Sequence, residues 1–320
     1  MTSPARPVVG IACDESGFVG GSLFGGIRVF AHASVRVDAP EAAGLVDEVR
    51  RRTRSGGEEL KASRLNRPWT THVASWLVGP DGPLSGRATV HVTDTRLFGL
   101  ARLAQVCLAD STPQGWWSAD RDAAAWATAL RLHRLLDGVP PAEERGFLEG
   151  ARDLLWVTRR ARLRAVPASW PEVAARTAPE LAEPEALRRV GEYLERPPDT
   201  PLTEPLLPAL AWALDHWSAQ GDPDVVHDEQ SVLTPARVRV LADGLADAHP
   251  GRRLAGFERV DSRTDARVQL ADLVAGVVRR TVEDHLHGQA TGDPVPVGHL
   301  VADASPLTPE DSAAWVRSLT

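Results

Sequence analysis

Residues 8–13, Val-Val-Gly-Ile-Ala-Cys, form an apolar run with no polar face, and the run stops at Asp14-Glu15. An unbroken run of this kind fits a strand covered on both sides, as at the centre of an α/β sheet. The pattern returns far downstream, where Asp-Val-Val-His at 224–227 runs into Asp228-Glu229. A chain with two such segments must cover both faces of a sheet. It also aims carboxylates out of strand ends, where α/β proteins bind ligands.

The flanking sequence extends this frame. Gly17, Gly20, Gly21, Gly25 and Gly26 make a reversal, and residues 27–37 (IRVFAHASVRV) read as a second strand, giving an antiparallel hairpin. Residues 40–54 carry helical spacing and halt at Gly56-Gly57, a glycine stop. A strand is predicted at 87–92 and a helix from Thr95 to about Asp110. From 111 to 221 prolines recur, the legible spacing is helical, and seven of the ten tryptophans gather. This is the texture of a helical insertion. The alternation then resumes with a strand at 224–227, a helix at 235–249, a strand at 253–260 and a long helix at 265–285. The expected organisation is 1–110 as the first half of an α/β core, 111–221 as a Trp-rich helical insertion, and 222–320 as the second half.

Composition bounds the partners. At 320 residues and 43% hydrophobic content the chain can bury a sizeable core, and a formal net charge of -7 is not the footprint of a strongly basic nucleic-acid-binding domain. A local basic groove stays open. Two cysteines, Cys13 and Cys107, are too few for a disulfide framework, so a reducing, cytoplasmic setting is expected. The apolar stretch near the start is shorter than the roughly 7–15 residues of a signal core, and no segment reaches the roughly 18 apolar residues of a membrane span. No membrane partner is expected. Of 36 basic residues only Lys61 is a lysine, which reads either as a place where a compact point charge is needed or as a chance survival in an arginine-rich chain.

In DARVQLADLVAGVVRR, Asp265, Gln269 and Asp272 fall at i, i+4 and i+7 and share one helix face, while Leu270, Leu273, Val274 and Val277 make the adjoining apolar face. Gly276 lies on the polar face and leaves room for a close approach. An aspartate at the edge of a core-facing stripe needs a partner, and a divalent cation is one. Asp14, Asp228 and Asp272, with Glu59 from EELK as a fourth, would make an all-oxygen site suited to Mg²⁺ or Mn²⁺ rather than zinc. Two ions could activate a water and stabilise the leaving oxygen in phosphodiester cleavage. Lys61 and Gln269 would orient substrate or water, and Glu15 and Glu229 are reserve ligands. The other reading of each acid is a turn former or helix cap. His285 and His287 could bind metal, but with no nearby cysteine or third histidine they read as a solvated helix end. Arg159, Arg160, Arg162 and Arg164, between Trp156 and Trp170, could grip phosphates and stack bases of DNA or RNA, or form a solvated face. The glycines after Asp14 lack the Gly-Lys-Ser/Thr of a phosphate loop, and Ser16 stands where a haloacid-dehalogenase-type phosphatase has a second aspartate.

These segments resemble a known family. DESG at 14–17, ELKAS at 59–63, VVHDEQ at 225–230 and DSRTDARVQLADLVAG at 261–276 are similar, in order and spacing, to the motifs of domain-of-unknown-function family 3800, grouped with ribonuclease-H-like folds. The QLADLVAG helix preceded by Ser262 is the most specific of them. The resemblance implies a ribonuclease-H-like mixed sheet flanked by helices, here with a large helical insertion. Its first strand holds one carboxylate, its fourth ends in another, and a C-terminal helix carries a third. Asp14, Asp228 and Asp272 occupy those places, with Glu59 as the acid from the first half. The implied activity is a two-metal phosphodiesterase or nuclease. A binding or regulatory module without chemistry, or a small-nucleotide hydrolase, are the alternatives, and the oligomeric state is open.

Overall fold

The computed structural model describes residues 6–17, 24, 27–56, 60–108, 123–158, 170–199, 202–287, 295–303, 305 and 307. Its centre is a five-stranded mixed sheet of β1 (Val8–Ser16), β2 (Val29–Val35), β3 (Ala88–Asp94), β4 (Asp222–Asp228) and β5 (Gly256–Val260). The strand order is β3-β2-β1-β4-β5. β2 pairs antiparallel with β1 and β3, whereas β1–β4 and β4–β5 are parallel. The two apolar runs that end in Asp-Glu are therefore neighbours at the middle of the sheet, in the register Cys13 opposite His227.

Among the described residues there are ten α-helices, five of which cover the two faces of this sheet. α1 (Ala39–Thr53), α2 (Thr71–Val78) and α10 (Ala266–Leu286) cover one face, where Ala12 and Val226 meet Val46, Leu77, Leu270, Leu273 and Val274. α8 (Leu206–Ser218) and α9 (Pro235–Ala248) cover the other, where Val9, Ile11, Cys13 and Val225 meet Leu210, Trp217, Leu241 and Leu245. The split follows from the strand period of two: alternate residues of β1 and β4 enter opposite cores. Both cysteines are buried as free thiols.

A third apolar cluster lies away from the sheet. α3 (Thr95–Leu108), α4 (Ala123–Leu136), α5 (Pro141–Leu155), α6 (Trp170–Thr177) and α7 (Pro184–Glu195) pack around Leu103, Leu132, Phe147, Trp170 and Tyr193. The helical region thus has its own core, which draws in α3 from the preceding segment, while α8 packs on the sheet. At the junction, buried Asp94 accepts the backbone N–H groups of Arg96 and Leu97, capping α3, and pairs with Arg28 at 2.8 Å. A second nitrogen contact of Arg28 is His133 of α4, at 3.3 Å. Arg28 also donates its backbone N–H to Glu283 of α10 at 2.9 Å, tying both layers to one residue.

Helix ends follow local chemistry. Asp38 caps α1 by accepting the Glu41 N–H at 2.9 Å, with Pro40 in the first turn. α1 stops before the expected Gly56-Gly57, because Arg54 takes a left-handed conformation (φ 51°) and its N–H closes the last turn on Arg50 and Arg51. Asp265 caps α10 by accepting the Arg267 N–H at 2.8 Å and pairs with the Arg267 side chain. It serves the helix end rather than the polar face further along. Among the described residues no helix is long and apolar enough to cross a membrane.

Candidate carboxylate site

Strand alternation sorts the acids. Asp14 shares its parity with Ala12, and Asp228 with Val226, so both lie on the α10 side at the carboxyl ends of adjacent parallel strands. Asp272 comes up from α10 on that side, at the edge of the stripe made by Leu270, Leu273 and Val274. Asp14 is 6% exposed and accepts the Glu15 N–H at 2.7 Å. Its carboxyl is pushed well above the usual carboxylate range, by burial first and then by the negative charges of Glu15, Asp272 and Asp228. Asp228 is half-buried and accepts the Ser262 N–H at 2.9 Å, which fixes the strand end to the turn entering α10.

Glu15, of the opposite parity, turns to the α8 side. Burial, followed by repulsion from Asp228, Glu204 and Asp272, pushes its carboxyl up to about 8. Its Oε2 is sealed from solvent with no hydrogen-bond partner. The charge cluster therefore straddles the end of β1, and Glu204, from the loop before α8, closes its far side. Burial also pushes the Glu204 carboxyl up.

Whether a divalent cation fits can be judged from these donors. Burial and acidic neighbours raise both Asp14 and Glu15, and one Glu15 oxygen lacks a hydrogen-bond partner; crowded carboxylate oxygens short of positive charge are what Mg²⁺ or Mn²⁺ satisfies. The donor chemistry fits. Among the described residues no group of three or more His, Cys, Asp or Glu side chains stands arranged to hold an ion. Glu59 lies outside the described residues, as do Arg159, Arg160, Arg162 and Arg164.

The other expected residues divide clearly. Gln269 is 6% exposed on α10, donates to the Arg263 carbonyl and accepts from Arg50 of α1, each at 3.4 Å. Lys61 is exposed beside Asp261, whose carboxyl is held low by Arg263 first and by Lys61 among further charges. Glu229 is exposed, and its backbone N–H donates to the Val260 carbonyl at 3.1 Å. His285 and His287 sit at the C-terminal end of α10.

Two glycines shape the rim. Gly17 has φ +98°, and a Cβ there would fall 2.2 Å from the Val29 carbonyl oxygen, so the turn after Asp14-Glu15-Ser16 requires glycine. At Gly276 an added Cβ would lie 2.1 Å from the Cβ of Ala62, which is the close approach expected on the polar face of this helix.

Sequence reasoning passed over three features. Arg279 lies at i+7 from Asp272, donates from Nε to Ser16 Oγ at 3.1 Å and pairs with Glu283, placing a cation beside the end of β1. Its spacing on the Asp272 face was a usable signal. Glu204 sits in a loop with no periodicity to mark it. A row of buried histidines, His91, His32 and His227, crosses β3, β2 and β4 on the α8 side. Nε2 of His32 is 3.2 Å from Nε2 of His227, and Nδ1 of His227 is 3.0 Å from the Asp228 carbonyl oxygen. Burial lowers all three, His91 and His227 to about 4, so the row is neutral at ordinary pH. Comparison of the chain with protein-family models, curated proteins and solved structures finds no match.

Proposed function

We propose that the chain is a Mg²⁺- or Mn²⁺-dependent phosphodiesterase acting on nucleic acid, built on a ribonuclease-H-like core. The observation that carries this reading is the convergence of Asp14, Asp228 and Asp272, from two adjacent strand ends and the helix packed against them, with Asp14 raised by burial and by its acidic neighbours. The mixed strand order and the placing of these acids on the first strand, the fourth strand and a C-terminal helix support the resemblance to domain-of-unknown-function family 3800.

Asp14, Asp228 and Asp272 would hold the cation, with Glu15 Oε2 and Glu59 as further oxygen donors. Bound divalent ions supply the charge that activates a water and stabilises a leaving oxygen. The chain's own residues orient the substrate. Gln269 is held between Arg50 and the Arg263 carbonyl, so its amide presents a fixed polar edge beside Asp272. Lys61, beside Asp261, and Arg279, beside Ser16, are cations that would meet the non-reacting phosphate oxygens.

Calorimetric titration of Mn²⁺ into wild type, Asp14→Asn and Asp272→Asn tests the reading, followed by a nuclease assay on single- and double-stranded substrates. Binding that either substitution abolishes, with Mn²⁺-dependent cleavage by wild type alone, is expected. Binding unaltered by both substitutions, or none in folded wild type, refutes it. That result would favour the non-catalytic module, the reading to which the lack of a ready-made ligand group among the described residues belongs.

A further inference from the structure

The segment between α1 and α2 is set against the carboxylate site and differs from the rest of the chain in charge. From Leu60 to Pro80 there is no acidic residue, in a protein with 43 of them, yet the stretch carries Lys61, Arg64 and Arg67. It is fastened to the Asp272 helix one turn beyond that residue. Ala62 packs on Gly276, and Asn66 donates to the Gly276 carbonyl at 3.3 Å. Residues four apart on a helix share a face, so this contact lies directly along α10 from Asp272.

The segment is also rigidly presented. Thr70 Oγ1 donates to the Arg64 carbonyl at 2.7 Å and to the Arg67 carbonyl at 3.0 Å, closing the turn between the 3-10 helices Ala62–Arg64 and Pro68–Thr70. Leu60, Leu65 and Val73 anchor it in the core below. Trp69 stands out from this turn 67% exposed, the most exposed large apolar side chain among the described residues. The Arg67 guanidinium lies 5.5 Å from its ring centre. An indole held largely in water by a pinned backbone offers most of its surface to a partner.

We infer that residues 61–69 form a grip for a single-stranded polynucleotide, in which Trp69 stacks on an unpaired base and Lys61, Arg64 and Arg67 meet successive phosphates leading to the carboxylates. The inference rests on the phosphodiesterase reading for its direction and names the substrate form of that site. Charge selects a polyanion over an apolar or basic peptide. The exposed ring selects one with accessible bases, because aromatic stacking tolerates any base but requires it unpaired.

The test is fluorescence anisotropy of a labelled oligothymidylate of about twenty nucleotides, a length that spans such sites, in EDTA so that no cleavage intervenes. Wild type should bind with a salt-dependent affinity. Trp69→Ala should weaken binding about 5- to 100-fold with its salt slope kept, and Arg64→Ala or Arg67→Ala should each reduce the slope by about 0.7. Tryptophan 69 is exposed, so its replacement spares the core, and circular dichroism checks this. Unchanged affinity in Trp69→Ala, or wild type and variant binding inorganic polyphosphate as tightly as the oligonucleotide, overturns the inference, as does preference for duplex over single strand. Asp14→Asn keeps the grip and removes a proposed metal ligand. Strand binding that persists there while Mn²⁺ has no effect on wild type would overturn the metal reading and uphold the grip; the reverse pattern would do the opposite.

Discussion

Replacing Glu15 by Gln keeps the size of the side chain and removes its charge from the buried cluster. In the fold, burial first and then the charges of Asp228, Glu204 and Asp272 lift this carboxyl from 4.5 to about 8. A raised acid holds its proton in the folded state at a pH where the unfolded chain has released it. Its contribution is full below about pH 4.5 and is lost as the pH climbs to about 8. At about 1.4 kcal/mol per pKa unit, the whole interval corresponds to at most about 5 kcal/mol of folding free energy. Because the neighbouring acids share the repulsion, Glu15→Gln should be about 2–4 kcal/mol more stable than wild type near pH 8.5 and within about 1 kcal/mol of it near pH 5. Urea denaturation in EDTA at the two pH values measures this, with the slope of the transition checked for constancy. Equal midpoints at both pH values, or a lower midpoint for the variant near pH 8.5, would show that Glu15 is not a buried charge in conflict with its neighbours. Saturating Mn²⁺ should narrow the gap by stabilising wild type.

Two further outcomes follow from the packing. Leu273→Ala empties a fully buried position between α10 and the sheet and should destabilise by about 2–5 kcal/mol; a loss below about 1 kcal/mol in chemical denaturation would contradict that placement. Gly276→Val drives new atoms into Ala62, so it should destabilise by about 1–3 kcal/mol and weaken strand binding by displacing the Lys61–Trp69 segment. Wild-type stability and binding in this variant would show that the two segments do not touch.

The parts of the site legible in the sequence are those whose signal is local. The run before Asp14 announces a central strand because it has no polar face, the Val225-Val226 pair before Asp228 repeats its Asp-Glu ending, and the i, i+4, i+7 pattern puts Gln269 and Asp272 on one side of a helix whose apolar neighbours do enter the core. Gly276 could be read as a close approach, but not that Ala62 is what approaches. Features that depend on strand register are silent in sequence. His32 and His227 are 195 positions apart and meet only because β2 and β4 flank β1. Glu204 is invisible for the same reason, since a loop acid acquires meaning from the strand end it faces. Asp265, on the expected polar face, serves as a helix cap because the first turn of α10 leaves backbone N–H groups that need an acceptor. The short α2 and the turns before it left no period long enough to recognise, which is why Trp69 drew no notice.

The neutral histidine row gives the sheet an edge opposite to that of the carboxylates. Histidines lowered by burial contribute stability that is complete above about pH 6.5 and disappears as the pH falls through about 4, whereas Glu15 withdraws its contribution as the pH rises toward about 8. Both groups lie on the α8 side of the sheet, the histidines on β3, β2 and β4 and Glu15 on β1 between β2 and β4. The protein is therefore squeezed between two opposed proton balances, with its most stable point expected in mildly acidic solution. A divalent ion that neutralises the carboxylates would relax only the alkaline side of that squeeze, widening the working range toward neutral pH and leaving the acid limit to the histidines.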